Sequence, residues 1–499
     1  MKKILILSTL VLTLGFSSCD SYLDINEDPN SPTTSNITTS MVMPAVEMNL
    51  AASYGDFLNI TGGYYSQIYA HYFGTSNYVD YSQFQMSATR SSSFYTQMTQ
   101  RVQSNAQEIR EMAEEEEDWG TYLAATTLRA FAYQCLVDCY GEIPYTEALD
   151  ESNLSPHYDD GLTVYEGILA ELDDALSKAT SSSTVCTNFL YEGETATNWI
   201  RFANALKLRI LMRMYDVQNV SSEVAALIAE DNFPTEDVTY TCWANEEGSY
   251  NPLYAEDFAD GMQKNLALNL AISGTMQVSD EDGNVVYTDP RLEAFFDPNS
   301  ESNEFFGAIS GTNHSTAQSI TANTVCRPHI TATSPVYLLT MAEVEFFKAE
   351  YYARTGNSSQ AKSHYKAAIE ASFSSAGVEG VEEYLERYPY DSSNYLECIG
   401  IQKWLAMSGT TTFEAYCEVR RLGYPAFGTQ TGANFYSETS GAYDASSYEW
   451  GKLYTPISVF NQVGSNQLLQ RWPYPESSSS RNENTPTFPG YTSPIFWAE

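Results

Sequence analysis

The stretch from Ala342 to Ser372, AEVEFFKAEYYARTGNSSQAKSHYKAAIEAS, constrains the fold more than any other part of this 499-residue chain. It reads as two helices joined by a tight turn. Tetratricopeptide pairs need small residues where two helices touch and aromatics where they bridge to the next helix. Ala349, Tyr352, Gly356, Ala361, Tyr365 and Ala368 stand at offsets of that kind. Glu345 occupies the place of the usual large leading residue, and a plain helical hairpin satisfies the same periodicity.

Helical periodicity governs much of the remainder. The pattern from Ser93 to Met112 is amphipathic, and the acidic run Glu114 to Asp118 reads as a solvated turn. Leu123, Leu128, Phe131, Cys135 and Leu136 then share a face, with Gly141 and Pro144 as a stop signal. Leu162, Tyr165, Ile168, Leu169, Leu172, Leu176 and Ala179 repeat at the helical period. Trp199, Phe202, Ala203, Leu206, Ile210 and Met214 give another face, with Arg201, Lys207, Arg209 and Arg213 interleaved. Further helices are predicted over Cys398–Met407 and Phe413–Leu422.

Long irregular stretches separate these blocks, at 60–92, 231–262, 297–334 and 424–499, and loops of that length are usually functional. Gln277–Thr288 reads as a hairpin turning at Asp282-Gly283-Asn284. Asp280, Asp282 and Asn284 imitate a calcium loop, but Val285 stands where such a loop needs glycine, so the turn reading is preferred.

The first residues, MKKILILSTLVLTLGFSSC, form an export leader: Lys2 and Lys3 precede an apolar run from Ile4 to Leu14 too short to span a bilayer. Gly15 to Ser18 place small residues directly before Cys19, which resembles a bacterial lipobox; an ordinary secretory signal is the alternative. Acyl chains on Cys19 would anchor the mature chain to membrane lipid. Residues 19–40 are polar, contain Pro29 and Pro32, and read as a flexible tether after a leader at 1–18. The other seven cysteines lack any CxxC spacing, and Cys135 and Cys139 read as buried thiols on one helical face.

With 64 acidic and 25 basic side chains the net charge is −39, which argues against nucleic acid, since phosphate binding needs clustered Lys and Arg. His71, His157, His314, His329 and His364 are scattered, each read as a surface or satisfied loop imidazole, and nothing asks for a metal or a cofactor. No GxSxG follows the leader, and GxxxxGK[ST], HExxH and GxGxxG are missing. Glu343 and Glu350 share a helical face and read as surface or cap residues, so no catalytic residue is assigned. A glycosidase-like acid pair is not singled out among so many carboxylates.

Aromatic density in the loops is the chemical signal. Sugar rings offer C–H faces that stack on aromatics and hydroxyls that pair with amides. Residues 64–84, YYSQIYAHYFGTSNYVDYSQF, and 241–254, TCWANEEGSYNPLY, supply both. Tyr64, Tyr65, Tyr69 and Tyr72 also fit a helical core; Tyr78 and Tyr81, beyond Gly74, are expected to be exposed. A ligand is therefore placed against loops 72–84 and 241–254, with 308–330 as a third wall. Tyr72, Tyr78, Tyr81, Trp243 and Tyr250 are its candidate aromatic contacts, and Asn245, Asn313 and Arg327 its hydrogen-bonding groups. The acidity favours a neutral glycan.

Taken in order, several blocks resemble the SusD/RagB family of Bacteroidetes outer-membrane lipoproteins. They are the lipobox with Cys19-Asp20-Ser21-Tyr22-Leu23-Asp24, LRAFAYQCLVDCYGEIPYTEAL at 128–149 and NWIRFANALKLRILMR at 198–213. Asp289-Pro290-Arg291-Leu292, AEVEFFKAE at 342–350, IQKWLAM and FEAYCEVRRLGYP within 401–425, and RWPYPESSSSRNEN at 471–484 follow. The Gln85–Gln100 segment has no Trp, where the family often has one, and Phe94 is the aromatic in its place. The resemblance implies a mainly α fold: a right-handed superhelix of tetratricopeptide-like pairs, a large loop-rich half and a few short β-hairpins. It implies one domain over 41–499, with paired helices at about 93–217 and 335–422 and ligand loops at 60–92, 231–334 and 424–499. It also implies a non-enzymatic receptor at the cell surface that hands glycan to a SusC-like TonB-dependent transporter. A peptide-capturing version of the same module, or a surface glycosidase, is the alternative.

Overall fold

In the computed structural model the described residues are 37–71, 78–150, 152–191, 193, 195–262, 265–312 and 325–498. The chain is mainly helical, and its helices pack as successive pairs. α1 (Thr39–Ser53) passes through a π turn (Tyr54–Leu58) into α2 (Asn59–Tyr65), followed by β1 (Tyr69–His71) and the short α3 (Val79–Ser82). α4 (Ser92–Thr96) likewise runs through a π turn (Gln97–Gln103) into α5 (Ser104–Glu115), which packs on α6 (Trp119–Tyr140). α6 also packs on α7 (Gly161–Lys178) and α8 (Thr197–Met214), and α9 (Ser221–Glu230) packs on α8.

The acidic run is a turn as expected: Glu115 to Glu117 are exposed, and the Asp118 carboxylate accepts from Thr121 N–H to cap α6. α6 stops at Gly141, whose φ of +82° a Cβ would strain. Residues 120–140 are buried all round, so this helix is the centre of the bundle.

The loop-rich half contains β2 (Val238–Tyr240), α10 (Pro252–Asp257), β3 (Leu266–Leu268), α11 (Leu270–Met276), β4 (Gln277–Ser279), β5 (Val285–Thr288), α12 (Pro290–Phe295), β6 (Phe296–Asp297), β7 (Arg327–Pro328) and β8 (Val336–Leu339). Helical pairing resumes with α13 (Met341–Arg354), α14 (Ser358–Ala376), α15 (Val381–Arg387), α16 (Tyr395–Met407) and α17 (Thr412–Leu422). β9 (Phe427–Thr431), α18 (Gly432–Phe435), β10 (Leu453–Thr455) and α19 (Glu476–Arg481) are short pieces in a mostly irregular end.

The segment Ala342 to Ser372 lies in the helical pair α13–α14. Thr340 caps the first helix through Glu343 N–H, and Asn357 caps the second through Gln360 N–H. Ala349, Ala361, Tyr365 and Ala368 are buried at its contact. Glu345, in place of the large leading residue, bonds His364 across the pair at 2.6 Å and Lys348 at 2.8 Å.

The β structure is a few short two-stranded pieces, as expected. Among the described residues there are five two-stranded sheets, and of these β4–β5 is a hairpin. There Asp280 Oδ1 accepts from the N–H groups of Asp282 and Asn284, which closes the turn. β1–β3, β2–β8 and β6–β7 join distant segments antiparallel, and β9–β10 is parallel. These strands tie segments far apart in the chain to one another rather than forming local ribbons.

Two expectations are corrected. Glu343 and Glu350 are not surface residues: both are buried. Arg209 grips Glu343 through Nε (2.6 Å) and Nη2 (2.8 Å), while Arg421 grips Glu350 through Nη1 (2.8 Å) and Nη2 (2.5 Å). Arg213, also buried, pairs with Asp138 and Glu414. A charge this deep persists only when paired and hydrogen-bonded, and the network therefore cross-links α6, α8, α13 and α17. Against the upward push of burial, Arg421 and Lys403 hold the Glu418 carboxyl well below its usual range. His71 is likewise buried, in β1, whereas His157 and His329 are exposed beside Glu147 and Asp297. His314 lies outside the described residues.

Candidate functional site

Two helical segments interrupted by π turns face one another, and the cleft between them is lined from both. Core residues Val46, Leu50, Tyr54 and Leu58 recur strictly every fourth position, as do Phe94, Met98, Val102 and Ala106. In a regular α-helix that spacing drifts by about 40° per step. A π turn, with its extra residue, absorbs the drift and rotates its neighbours outward, and such turns are frequent at functional sites. Asp56 and Phe57 sit on the first π turn; Ser93, Phe94 and Gln97 belong to the second segment.

The cleft has two lobes of about 200 and 170 Å³ that share Asp56 and Phe57. One lobe is closed by Asn49, Phe94, Gln97 and Pro252, the other by Ile60, Tyr78, Tyr81, Arg90 and Glu256. Phe57 stacks on Phe94 (centroids 5.6 Å apart) and meets Trp472 edge-on at 5.5 Å, so an aromatic wall backs the opening. Tyr78 and Tyr81 stack on each other at 5.3 Å.

The polar groups are few and fixed. The Tyr78 hydroxyl donates to Glu256, and Arg90, stationed over the Tyr81 ring, bonds Asp80 at 3.3 Å. Burial pushes the half-buried Asp56 carboxyl up to about 8, with the Glu256 charge adding to the effect. At neutral pH Asp56 is thus largely a neutral acid that can donate a hydrogen bond. Gln97 Oε1 is buried with no partner among the described residues and faces the same space. Aromatic faces with a neutral acid, a carboxylate, an amide oxygen and a guanidinium suit a polyhydroxylated ring.

The sequence-predicted residues divide. Tyr78 and Tyr81 line this cleft, but they are buried rather than exposed, because Tyr81 packs under Tyr64 and Tyr65 and Tyr78 is sealed by Glu256. Tyr250 meets Tyr254 of α10 edge-on at 5.3 Å. Arg327 is committed to Asp257 at 2.5 Å and lies 4.2 Å over Phe258, so it secures the end of α10 instead of offering its charge to a hydroxyl. Trp243 turns back on Tyr240 at 4.8 Å, and Asn245 is exposed in the turn beyond it; neither lines the cleft. Tyr72 and Asn313 lie outside the described residues, as does most of the expected third wall; its start, 308–312, is buried.

Asp56, Phe57, Arg90, Gln97 and Glu256 were not singled out by the sequence. The four-residue core spacing was the available signal for the π turns, and the missing family Trp pointed to Phe94. Size alone does not locate the site. A groove of about 570 Å³ between α7, α8 and α9 is lined by Leu169, Leu211, Met214 and Leu227 and has no aromatic ring. One of about 550 Å³ near Arg420 and Gln470 has only Phe427.

The sequence matches the SusD-like family, described as "Starch-binding associating with outer membrane", over residues 29–440. No relative was found among curated protein sequences. Solved structures share the fold. A SusD homolog from Bacteroides uniformis is 21% identical with a TM-score of 0.71, covering 91% of this chain and 98% of that one. One from Parabacteroides distasonis is 20% identical with a TM-score of 0.69, covering 91% and 98%. A chitin-binding SusD homolog from Flavobacterium johnsoniae is 19% identical with a TM-score of 0.69, covering 92% and 96%.

Proposed function

The chain belongs to the SusD-like family, nutrient-binding proteins of polysaccharide-utilisation systems that associate with the outer membrane and are not enzymes, and on that premise we propose that it is a surface glycan receptor. It captures a neutral oligo- or polysaccharide and passes it to a SusC-like TonB-dependent transporter. The observation that supports this reading is the cleft itself: the Phe57–Phe94 wall beside Asp56 and a Gln97 oxygen with no partner among the described residues. A relative named as chitin-binding supports a sugar as cargo.

Anchoring follows from the leader. Residues 1–18 are removed, Cys19 is acylated, and a tether ends where α1 begins at Thr39, just before the boundary drawn from sequence. Fully extended, that tether reaches at most about 70 Å, enough for the single domain over 41–499 to cover a neighbouring barrel while held to the outer leaflet. Nucleic acid has no place in this scheme, given the charge of −39.

Affinity electrophoresis through gels containing amylopectin, galactomannan, xylan or glycol chitin tests the reading. Wild type is retarded by at least one of them without shortening it. Phe57→Ala weakens that retention about tenfold, the worth of one aromatic stacking contact, whereas Trp243→Ala leaves it unchanged. Retardation by none of them, with capture of peptides instead, would replace the glycan by a peptide ligand.

A further inference from the structure

Trp450 is the one tryptophan among the exposed large apolar side chains of the described residues, with 40% of its surface open. It is nevertheless held rigidly. Tyr388 lies flat against it, centroids 5.2 Å apart and planes within 9°, and its Nε1 donates to the Thr275 carbonyl at 2.9 Å. One face and the N–H are therefore committed, while the rest of the side chain supplies its exposed surface. An aromatic fixed in this way loses little conformational freedom when something stacks on it.

The ring pair borders a cleft of about 330 Å³, within the size range of small-molecule sites. Its rim carries Arg387, Asp391, Asn394 and Glu397. Glu397 accepts from Lys452 at 2.7 Å, Asp391 Oδ1 accepts from Ser393 N–H at 2.8 Å, and Arg387 lies 4.1 Å over Tyr287. Each carboxylate keeps acceptor capacity for a hydroxyl. Lys452, paired with Glu397, and Arg387, which also lies 3.9 Å from Glu383, reduce the negative charge of this rim. Tyr388 packs on a separate, smaller apolar cluster with Tyr384 and Tyr365, whereas Phe57, Tyr78, Tyr81 and Phe94 belong to the main core. The two clefts share no lining residue.

We infer that the Trp450–Tyr388 platform is a second glycan-binding site, which takes a neutral sugar ring with its C–H face on the indole and its hydroxyls on Asn394, Asp391 and Glu397. The inference rests on the glycan reading of the first cleft. Two grips on one molecule raise the retention of a long polymer above what either grip gives, because the second contact becomes intramolecular.

The test uses the full mature protein on the same four polysaccharide gels. Trp450→Ala is expected to weaken retention by the retarding polysaccharide about tenfold. Asn394→Ala, an exposed change that leaves the fold intact, weakens it less but measurably. The Phe57→Ala/Trp450→Ala double variant loses more than either single one. Circular dichroism melting checks that Trp450→Ala is folded; if it is not, Asn394→Ala and Trp450→Phe decide. Wild-type retention by variants at Trp450 and Asn394, with Phe57→Ala impaired, overturns the second site alone. Wild type retarded by none of the gels overturns the glycan reading and this inference with it.

Discussion

Replacing Arg213 by Met exposes what the buried network contributes. In the native fold Arg209 and Arg213 are set against Asp138, Glu343 and Glu414, all buried. Met fills much of the space of the arginine stem, so the cavity term is small. The electrostatic term is not. Among the described residues Asp138 keeps neutral side-chain donors, Gln134 (2.6 Å), Tyr165 (2.5 Å), the Trp497 indole (3.0 Å) and the Cys417 thiol (3.9 Å), and Glu414 keeps Arg209 at 3.4 Å. Removing one partner of a buried pair costs about 3–5 kcal/mol, and the surviving donors put this case near the lower end, about 3 kcal/mol. Burial already pushes the Asp138 carboxyl upward against the pull of Arg213; without that arginine only the hydrogen bonds from Tyr165 and Gln134 oppose the push, so it rises further. A carboxyl whose folded pKa lies above its unfolded value keeps a proton the unfolded chain has lost, so stability falls as pH rises through that interval. Urea unfolding followed by tryptophan fluorescence, at about pH 5 and about pH 8, should therefore show a larger penalty at the higher pH. Asp138→Asn in the same background should return about 1 kcal/mol. An unchanged midpoint, or a penalty that shrinks as pH rises, would refute the reasoning.

Ala361→Trp should destabilise the α13–α14 contact by roughly 1–3 kcal/mol through overpacking of a fully buried position; a neutral melting temperature would contradict the tetratricopeptide alignment. The Asp56 carboxyl, pushed up to about 8, makes wild type lose stability as pH rises from about 4 to 8. Asp56→Asn should flatten that profile and still bind polysaccharide at about pH 9, which melting curves and gel retention measure side by side. Because the cleft recognises neutral hydroxyls, retention should change little with salt, and a steep salt dependence would point to an anionic ligand. Cys19→Ala should move the protein from the membrane pellet to the soluble fraction; sedimentation with membranes and continued labelling by a lipid precursor would defeat the anchor.

Local pattern was enough to read the elements. The apolar period of Leu162 to Ala179 became α7, Gly141 ended α6, and the small-residue offsets around Gly356 became a capped helical pair. These follow from interactions within a few residues, which is why they are legible in order along the chain. The proposed leader and the proposed anchor at Cys19 rest on the same kind of reading, being addresses that a cell would read linearly. What only the tertiary structure decided is the environment of each side chain. Glu343, Glu350 and Arg213 look like solvated charges on amphipathic helices, yet the enclosing helices bury them and supply their partners. Tyr78 and Tyr81 look like loop aromatics, yet they are covered by Tyr64 and Glu256, which lie next to or far from them in sequence. Asp56 and Gln97 line one cleft because two distant helical segments are brought together, and Trp450 meets Tyr388 across more than sixty positions. Burial and long-range pairing depend on which surfaces close over a residue, and no periodicity in its own segment records that.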